Sequence, residues 1–256
     1  MAERAIIHTL PEIEKIRRAG ALTGQVRDEI ASCVRAGMTT FDLDRLAGEI
    51  IRASGGKSAF LGYGGFPGNI CISVNDTVIH GIGSPDVVLA EGDIVSIDVG
   101  VASGGALGDC AVTVPVGKIS PDAQRLLEGT RNALFAGIDA ARPGYPVRRI
   151  SAAVETVGRR YRLGIVRDYV GHGCGIRLHE PPEVPNYTGW GSGPDLAPGM
   201  VICIEPMFTL GTSAVKLDRR DNWTVRTRDG SLSAHFEHMI LITESKAEIL
   251  TWQKTM

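Results

Sequence analysis

Five cysteines in 256 residues (Cys33, Cys71, Cys110, Cys174 and Cys203) are odd in number and form no CxxC pair. That argues against a disulfide framework or a cysteine-rich zinc site and fits a reducing, cytoplasmic setting. An excess of one charge is also lacking, since 27 Lys and Arg stand against 29 Asp and Glu. Neither DNA nor an anionic membrane is therefore expected as the main partner. No apolar run approaches the roughly 20 residues that span a bilayer. The opening "MAERAIIHTLPEIEKIRRAG" lacks the unbroken apolar core of a signal peptide. No low-complexity linker divides the chain, so one domain is expected over residues 1–256, with a short N-terminal arm over about residues 1–10.

Familiar catalytic signatures are scarce as well. "HEPPE" lacks the second histidine of HExxH, and neither a GxSxG elbow nor a P-loop occurs. "GHGCG" and "GYGGFPG" are glycine-rich but do not match GxGxxG after a strand. Cys174 beside His172 invites a Cys–His nucleophile, but no oxyanion arrangement accompanies it, and a small buried thiol is the simpler reading.

What is present is periodic. From Pro11 to Ala36, Ile13, Ile16, Ala19, Leu22, Val26, Ile30 and Val34 recur at helical spacing. Pro11 suits a first turn and Gly37 a stop. "TTFDLDRLAGEIIRASGG" repeats the pattern with Thr39 or Thr40 as cap. Ser120–Ala141 and Val147–Leu163 read as two further helices split by "RPGYP". Strands are expected near Ile70–Val74, Ile94–Val101, Cys110–Val116, Val201–Glu205, Trp223–Arg226 and His235–Thr243. Helices and strands in this mixed order make an α+β layout.

Two of these strands echo each other. "AEGDIVSID" (Ala90–Asp98) and "APGMVICIE" (Ala197–Glu205) share alanine, glycine and the last isoleucine, and each ends in a carboxylate. Each is followed by a second strand with an acid, Asp109 and Glu237 respectively. Chance similarity of sheet strands is one reading. The sharper one is two related halves, each delivering a pair of acids to one central point, because alternate strand residues share a face. Converging carboxylates in an apolar setting repel, and cations would resolve this. His172 and His179 in "GHGCGIRLHEPPEVPN", and His80 in "VIHGIG", lie in Gly- or Pro-rich segments read as turns. There glycine allows positive φ and close approach. Any one of them could be an ordinary core or surface histidine; three beside the acid strands point to a site. An oxygen-rich site with one imidazole suits Mn²⁺, Fe²⁺ or Co²⁺ better than thiolate-bound zinc.

The ordered set Asp98, Asp109, His172, Glu205 and Glu237 stands in "GDIVSIDVG", "GHGCGIRLHEPPEVPN", "PGMVICIEPM" and "FEHMILIT". With "GYGGFPGNICISVNDTVIHG", it resembles the methionine aminopeptidases from about residue 8 to Leu250. The short stretch between Glu205 and Glu237 leaves no room for the helical insertion of type II enzymes, so the resemblance is to the compact bacterial type I. It implies the α+β pita-bread (creatinase/aminopeptidase) fold, two pseudo-symmetric halves with antiparallel sheet covered by helices.

It further implies two divalent metal ions, Co²⁺, Mn²⁺ or Fe²⁺, with Zn²⁺ or Ni²⁺ as alternatives. Asp98 would bind one ion, His172 and Glu205 the other, and Asp109 and Glu237 would bridge them. Glu205 would be general base and proton shuttle, His179 would stabilise the intermediate, and His80 would contact substrate on the leaving side. Tyr63, Phe66, Cys71 and Trp223 match positions of an apolar methionine pocket, although Trp223 could equally be a structural tryptophan. The implied reaction is removal of the initiator methionine from nascent chains with a small second residue. A transient ribosome contact and a monomeric state are the accompanying expectations. Several positions depart from the family pattern. Gly100 replaces a frequent hydroxyl residue, Phe60 a smaller residue and Leu178 an aromatic one; Cys174 and Cys110 replace Ile or Val and Thr or Ala. Two other readings compete. An Xaa-Pro peptidase usually carries a large extra N-terminal domain, and a non-enzymatic pita-bread binder typically loses metal ligands that this chain keeps.

Overall fold

Capping chemistry sets where the helices begin. The computed structural model describes residues 5–189 and 191–252. Helix α1 (Leu10–Ser32) has Pro11 in its first turn, and the Thr9 backbone N–H donates to the Glu12 carboxylate at 2.8 Å. Helix α2 (Thr40–Ala53) is capped by Thr39, whose hydroxyl accepts from the Asp42 N–H at 3.0 Å. Ser120 does the same for α3 (Pro121–Ala140), accepting from the Ala123 N–H at 3.1 Å. Helix α4 (Arg148–Arg160) follows without a side-chain cap. Helix α1 stops four residues before the expected Ala36. The chain beyond it turns to pair with residues 87–89, with the Gly37 N–H on the Leu89 carbonyl at 2.8 Å and the Thr40 N–H on the Val87 carbonyl at 2.9 Å. Of the arm expected over residues 1–10, residues 1–4 lie outside the described residues. His8 is buried, its Nε2 3.2 Å from Glu180 beside His179.

Each half has an antiparallel sheet and a pair of helices. In the first, Ile94–Ser103 pairs with Cys71–Val74 and Ala106–Pro115, and α1 packs across the hairpin. The second hairpin strand starts at Ala106, not Cys110. Gly104 and Gly105 take φ of 60° and 80° and close a two-residue turn, so pairing continues to the tip. In the second half, Val201–Ile204 lies between His238–Ile242 and Gly171–Gly173, with Glu180–Val184 and Ala247–Ile249 at the edges. Smaller sheets join Met207–Thr209 to Ser233–His235 and Gly164–Ile165, and Val225–Thr227 to Thr77–Ile79 and Val215–Leu217. The expected strand at Trp223 begins only at Val225, because the Asp221 carboxylate accepts from the Trp223 and Thr224 N–H groups and turns the chain.

The two halves have separate apolar cores. One is built on Val26, Ile30, Leu43, Ile51, Val95, Ile97 and Val99; the other is built on Leu126, Leu134, Ile150, Val154, Ile202, Ile204 and Phe208. The segment expected as one strand over His235–Thr243 is two, Ser233–His235 and His238–Ile242, in different sheets. In the gap, Glu237 exchanges backbone hydrogen bonds with Ala111 of the first half, at 2.9 and 3.4 Å. Thr113 adds a second crossing: its Oγ1 donates to the His235 carbonyl at 2.7 Å and accepts from the His235 N–H at 2.9 Å. This seam brings the two acid-bearing strand pairs together. Among the described residues no helix is long and apolar enough to cross a membrane.

His238, just beyond the seam, fastens the C-terminal segment. Its Nδ1 meets the Thr251 hydroxyl at 2.8 Å. Burial first, then the charges of Arg27 and Arg131, push its pKa down to about 3. The unfolded chain therefore binds a proton near pH 6.5 that the folded chain refuses. Stability from this residue is full above pH 6.5 and is lost as pH falls toward 3. Between pH 7 and pH 5 the loss is about 2 kcal/mol. Urea unfolding of wild type and His238→Gln at both pH values should show their stability difference shift by that amount. An unchanged difference would show that His238 titrates normally.

Candidate metal centre

The Asp98 strand and its hairpin partner deliver Asp98 and Asp109; Glu205 follows the strand Val201–Ile204, and Glu237 occupies the seam. His172 lies on the short strand Gly171–Gly173, not in a turn, and neither glycine has positive φ. Their role is close approach. A Cβ at Gly171 would run into the Cys203 carbonyl, and one at Gly173 into the carbonyls of Pro181 and Glu180. Without side chains there, the neighbouring strands approach the backbone on either side of His172 closely. His80 does adopt positive φ, 57°.

These groups line one cavity of about 760 Å³ together with His179, Tyr63, Phe66, Cys71 and Trp223. Every residue expected in the site thus reaches one space. His172 Nε2 is 3.5 Å from Glu205 Oε1 and 4.0 Å from Asp109 Oδ2. The His172 and His179 rings lie 4.3 Å apart, centroid to centroid. Tyr63 Oη meets His179 Nδ1 at 2.8 Å. At the apolar end, Phe66 meets Trp223 edge-on at 5.2 Å, and His80 stands edge-on to Tyr169 at 5.8 Å and to Trp223 at 6.2 Å.

Electrostatics divides the site in two. Burial pushes Asp98 up to about 7, with His235 pulling down and Glu205 adding to the rise. Asp109 and Glu237 are driven well above the carboxylate range, first by burial and then by neighbouring acids. His80 and His179 are pushed the other way, to about 4, by burial, and His172 contributes for His179. Both are therefore neutral at pH 7, suited to hydrogen bonding rather than to carrying charge.

A metal fits this donor set. Buried oxygens Asp98 Oδ1, Asp109 Oδ1 and Glu237 Oε1 have no hydrogen-bond partner, although buried polar atoms are normally satisfied. Carboxylates driven toward protonation by burial and then by one another's charge are compensated by a cation. Oxygen donors with a single imidazole match divalent ions of intermediate hardness.

Three neighbours were not anticipated from sequence. His235 is 2% exposed and places Nε2 3.5 Å from Glu205 Oε2. Burial disfavours its charge, but the nearby carboxylates of Glu205 and Asp98 hold its pKa above the usual value. The sequence offered no valid period for it, because the strand that ends at His235 breaks before Glu237. Cys203 Sγ joins Asp109, His172 and Glu237 in a group whose ligand atoms lie within 4.8 Å of one another. Its signal was the alternation of Val201–Glu205, which places residues 203 and 205 on one face. Tyr169 carried no such signal.

The fold and the acid cluster define a class of metallopeptidase. A model of metallopeptidase family M24 matches residues 14–244, and the chain belongs to that family. Over 246 residues it is 46% identical to the methionine aminopeptidase of Clostridium acetobutylicum, covering 96% of this chain and 98% of that one. With methionine aminopeptidase 1 of Bacillus subtilis the identity is 44% over 246 residues, covering 96% and 98%. The crystal structure of the Rickettsia prowazekii methionine aminopeptidase superposes with a TM-score of 0.94 at 39% identity, covering 97% of this chain and all of that one. Within the family the chain thus groups with the bacterial methionine aminopeptidases, and its fold is their pita-bread fold.

Proposed function

We propose that this protein removes the N-terminal methionine from nascent chains with a small second residue, acting as one domain over residues 1–256. The observation that carries this reading is the cluster of unpartnered buried carboxylate oxygens beside an apolar pocket. Relatives more than 40% identical over almost their whole length bear the name methionine aminopeptidase, which supports it.

Asp98, Asp109, His172, Glu205 and Glu237 would hold two divalent cations, with Mn²⁺, Fe²⁺ and Co²⁺ best suited to the donors. When bound, such cations supply Lewis acidity and an acidified water. The protein's own groups do the rest. Glu205 takes the proton of the attacking water and passes it to the departing amine nitrogen. His235 Nε2 steadies the carboxylate from Oε2. A Tyr63 hydroxyl that donates to His179 Nδ1 leaves the proton on Nε2. That N–H then donates to the scissile carbonyl oxygen as charge develops there. His80 borders the leaving side. Tyr63, Phe66, Cys71 and Trp223 enclose the methionine side chain and exclude water around it. The free α-amino group would face the acid cluster, which restricts cutting to the first peptide bond.

The free cysteines support a reducing, cytoplasmic setting. Exposed arginines on α4 and just beyond it, Arg149, Arg159, Arg160 and Arg162, support a transient contact with the ribosome; the protein would act as a monomer.

The test is direct. After chelation and return of Mn²⁺, Fe²⁺ or Co²⁺, the protein is offered Met-Ala-Ser, Leu-Ala-Ser and Ala-Pro-Ala. Free methionine from the first, with little release from the others, is expected. Release that needs no metal, or that prefers the proline peptide, would overturn the assignment.

A further inference from the structure

Phe60 and Gly100 meet in space beside the cavity. Asp98, which lines the cavity, and Gly100 are alternate residues of the strand Ile94–Ser103 and so face the same side. Gly100 has no positive φ, so backbone freedom does not explain the glycine. Space does. A Cβ at position 100 would press into Phe60 Cε1, with Cδ1 at 2.9 Å and Cζ at 3.0 Å. The ring occupies the volume that any side chain at 100 would need. The backbone holds it there: the Ala59 N–H donates to the Gly100 carbonyl at 2.9 Å, and the Phe60 N–H donates to Ser58 Oγ at 3.1 Å.

The ring is not idle packing. Phe60 is 8% exposed, lines the cavity beside Asp98, and shares one apolar cluster with Phe66, Cys71 and Leu178. It therefore forms the wall between the pocket's apolar end and the Asp98 strand. We infer that Phe60 is a specificity-determining residue of the pocket and that Gly100 is the residue that admits it. The inference rests on the proposed aminopeptidase reading and adds to it the element that limits the first side chain. With the ring in place, the pocket ends at Phe60. Without it, a space of about the ring's size opens toward Gly100. A methyl at 100 would drive the ring out of its niche and into the volume the substrate side chain uses.

The experiment measures kcat/KM for Met-Ala-Ser and Phe-Ala-Ser with wild type, Phe60→Ala, Phe60→Leu, Gly100→Ala and the Phe60→Ala/Gly100→Ala double variant. Thermal melting of each in chelator accompanies it. In Phe60→Ala the preference for Met over Phe should fall by about tenfold or more, the scale of hydrophobic-pocket discrimination. Phe60→Leu should move it the same way by less. Gly100→Ala should lower kcat/KM for Met-Ala-Ser about tenfold and lower Tm. On the Phe60→Ala background, Gly100→Ala should change neither, because the clash is gone. An unchanged Met/Phe preference in both Phe60 variants would overturn the inference, as would a Gly100→Ala cost equal in both backgrounds. If wild type releases no methionine, the aminopeptidase reading itself fails, whereas the Tm comparison still decides whether the two residues are coupled.

Discussion

Glu205→Gln should lower kcat for Met-Ala-Ser by about a thousandfold, within the range of a positioned general base. The substitution keeps the size of the side chain and removes its ability to accept and return a proton. It also replaces a charged donor by a neutral amide where Glu205 Oε1 faces His172 at 3.5 Å and Oε2 faces His235 at 3.5 Å. Tm in chelator should change little, because Glu205 is absent from the unsatisfied buried oxygens that burden its neighbours. A large fall in kcat with KM and melting nearly unchanged is the signature of an interaction made mainly in the transition state. Near-normal turnover would remove Glu205 from the proposed proton transfer.

The second large effect is expected at Asp109. Its Oδ1 is buried without a partner, and burial together with Glu237 and Asp98 drives its pKa well above the carboxylate range. Held without a cation, this group destabilises the protein near neutral pH; with a cation it is an asset. Asp109→Asn removes the charge and keeps the shape. In chelator the variant should therefore melt at or above the wild-type temperature. Added Mn²⁺ at about 100 times its Kd should raise the wild-type Tm by about 5–10 °C, from roughly 2.7 kcal/mol of linkage. The variant should show little or none of that rise and lose activity about a hundredfold or more. Differential scanning calorimetry with and without the ion reads both. Equal Mn²⁺ stabilisation of the two proteins would show that Asp109 is not a ligand. A metal-free variant much less stable than wild type would show that its carboxylate is paired in a way the geometry does not reveal.

Both expectations express one trade. A cluster that is poorly satisfied by the protein alone is what a metal site requires, and the cores on either side must carry its cost. That explains the long apolar bodies of the acid strands. Ile94, Val95, Ile97, Val201, Ile202 and Ile204 are buried and hold the backbone on which Asp98 and Glu205 are mounted. The structure bears out the α+β layout and the two halves read from the repeated strand, but Asp98 lies inside its strand, Ile94–Ser103, while Glu205 follows Val201–Ile204.

Much of this was legible in one dimension because it is local. Thr39 and Ser120 cap helices through their own neighbours, Pro11 starts a helix by its fixed φ, and apolar periodicity names the buried face whatever it packs against. The carboxylates were legible because a charge set against an apolar run is costly wherever the fold places it, although Asp98 and Asp109 lie within their strands and not at the ends. The strand Gly171–Gly173 was not legible, because three residues flanking a histidine have no period of their own and become a strand only when Ile202 and Glu180 lie alongside. Nor was the break at Glu237, which exists because Ala111, far away in sequence, takes its backbone hydrogen bonds.

The sequence by itself thus determined the helices, the two acid-bearing strand pairs and the chemical types gathered for the site, since each rests on spacing or side-chain chemistry within a short stretch. Only the tertiary structure decided how the halves meet at the Ala111–Glu237 seam, that His235 faces Glu205, and that the ring of Phe60 fills the space left by Gly100. Those are contacts between residues distant in the chain, set by packing and by the pairing of one half's backbone with the other's, and no local pattern encodes them.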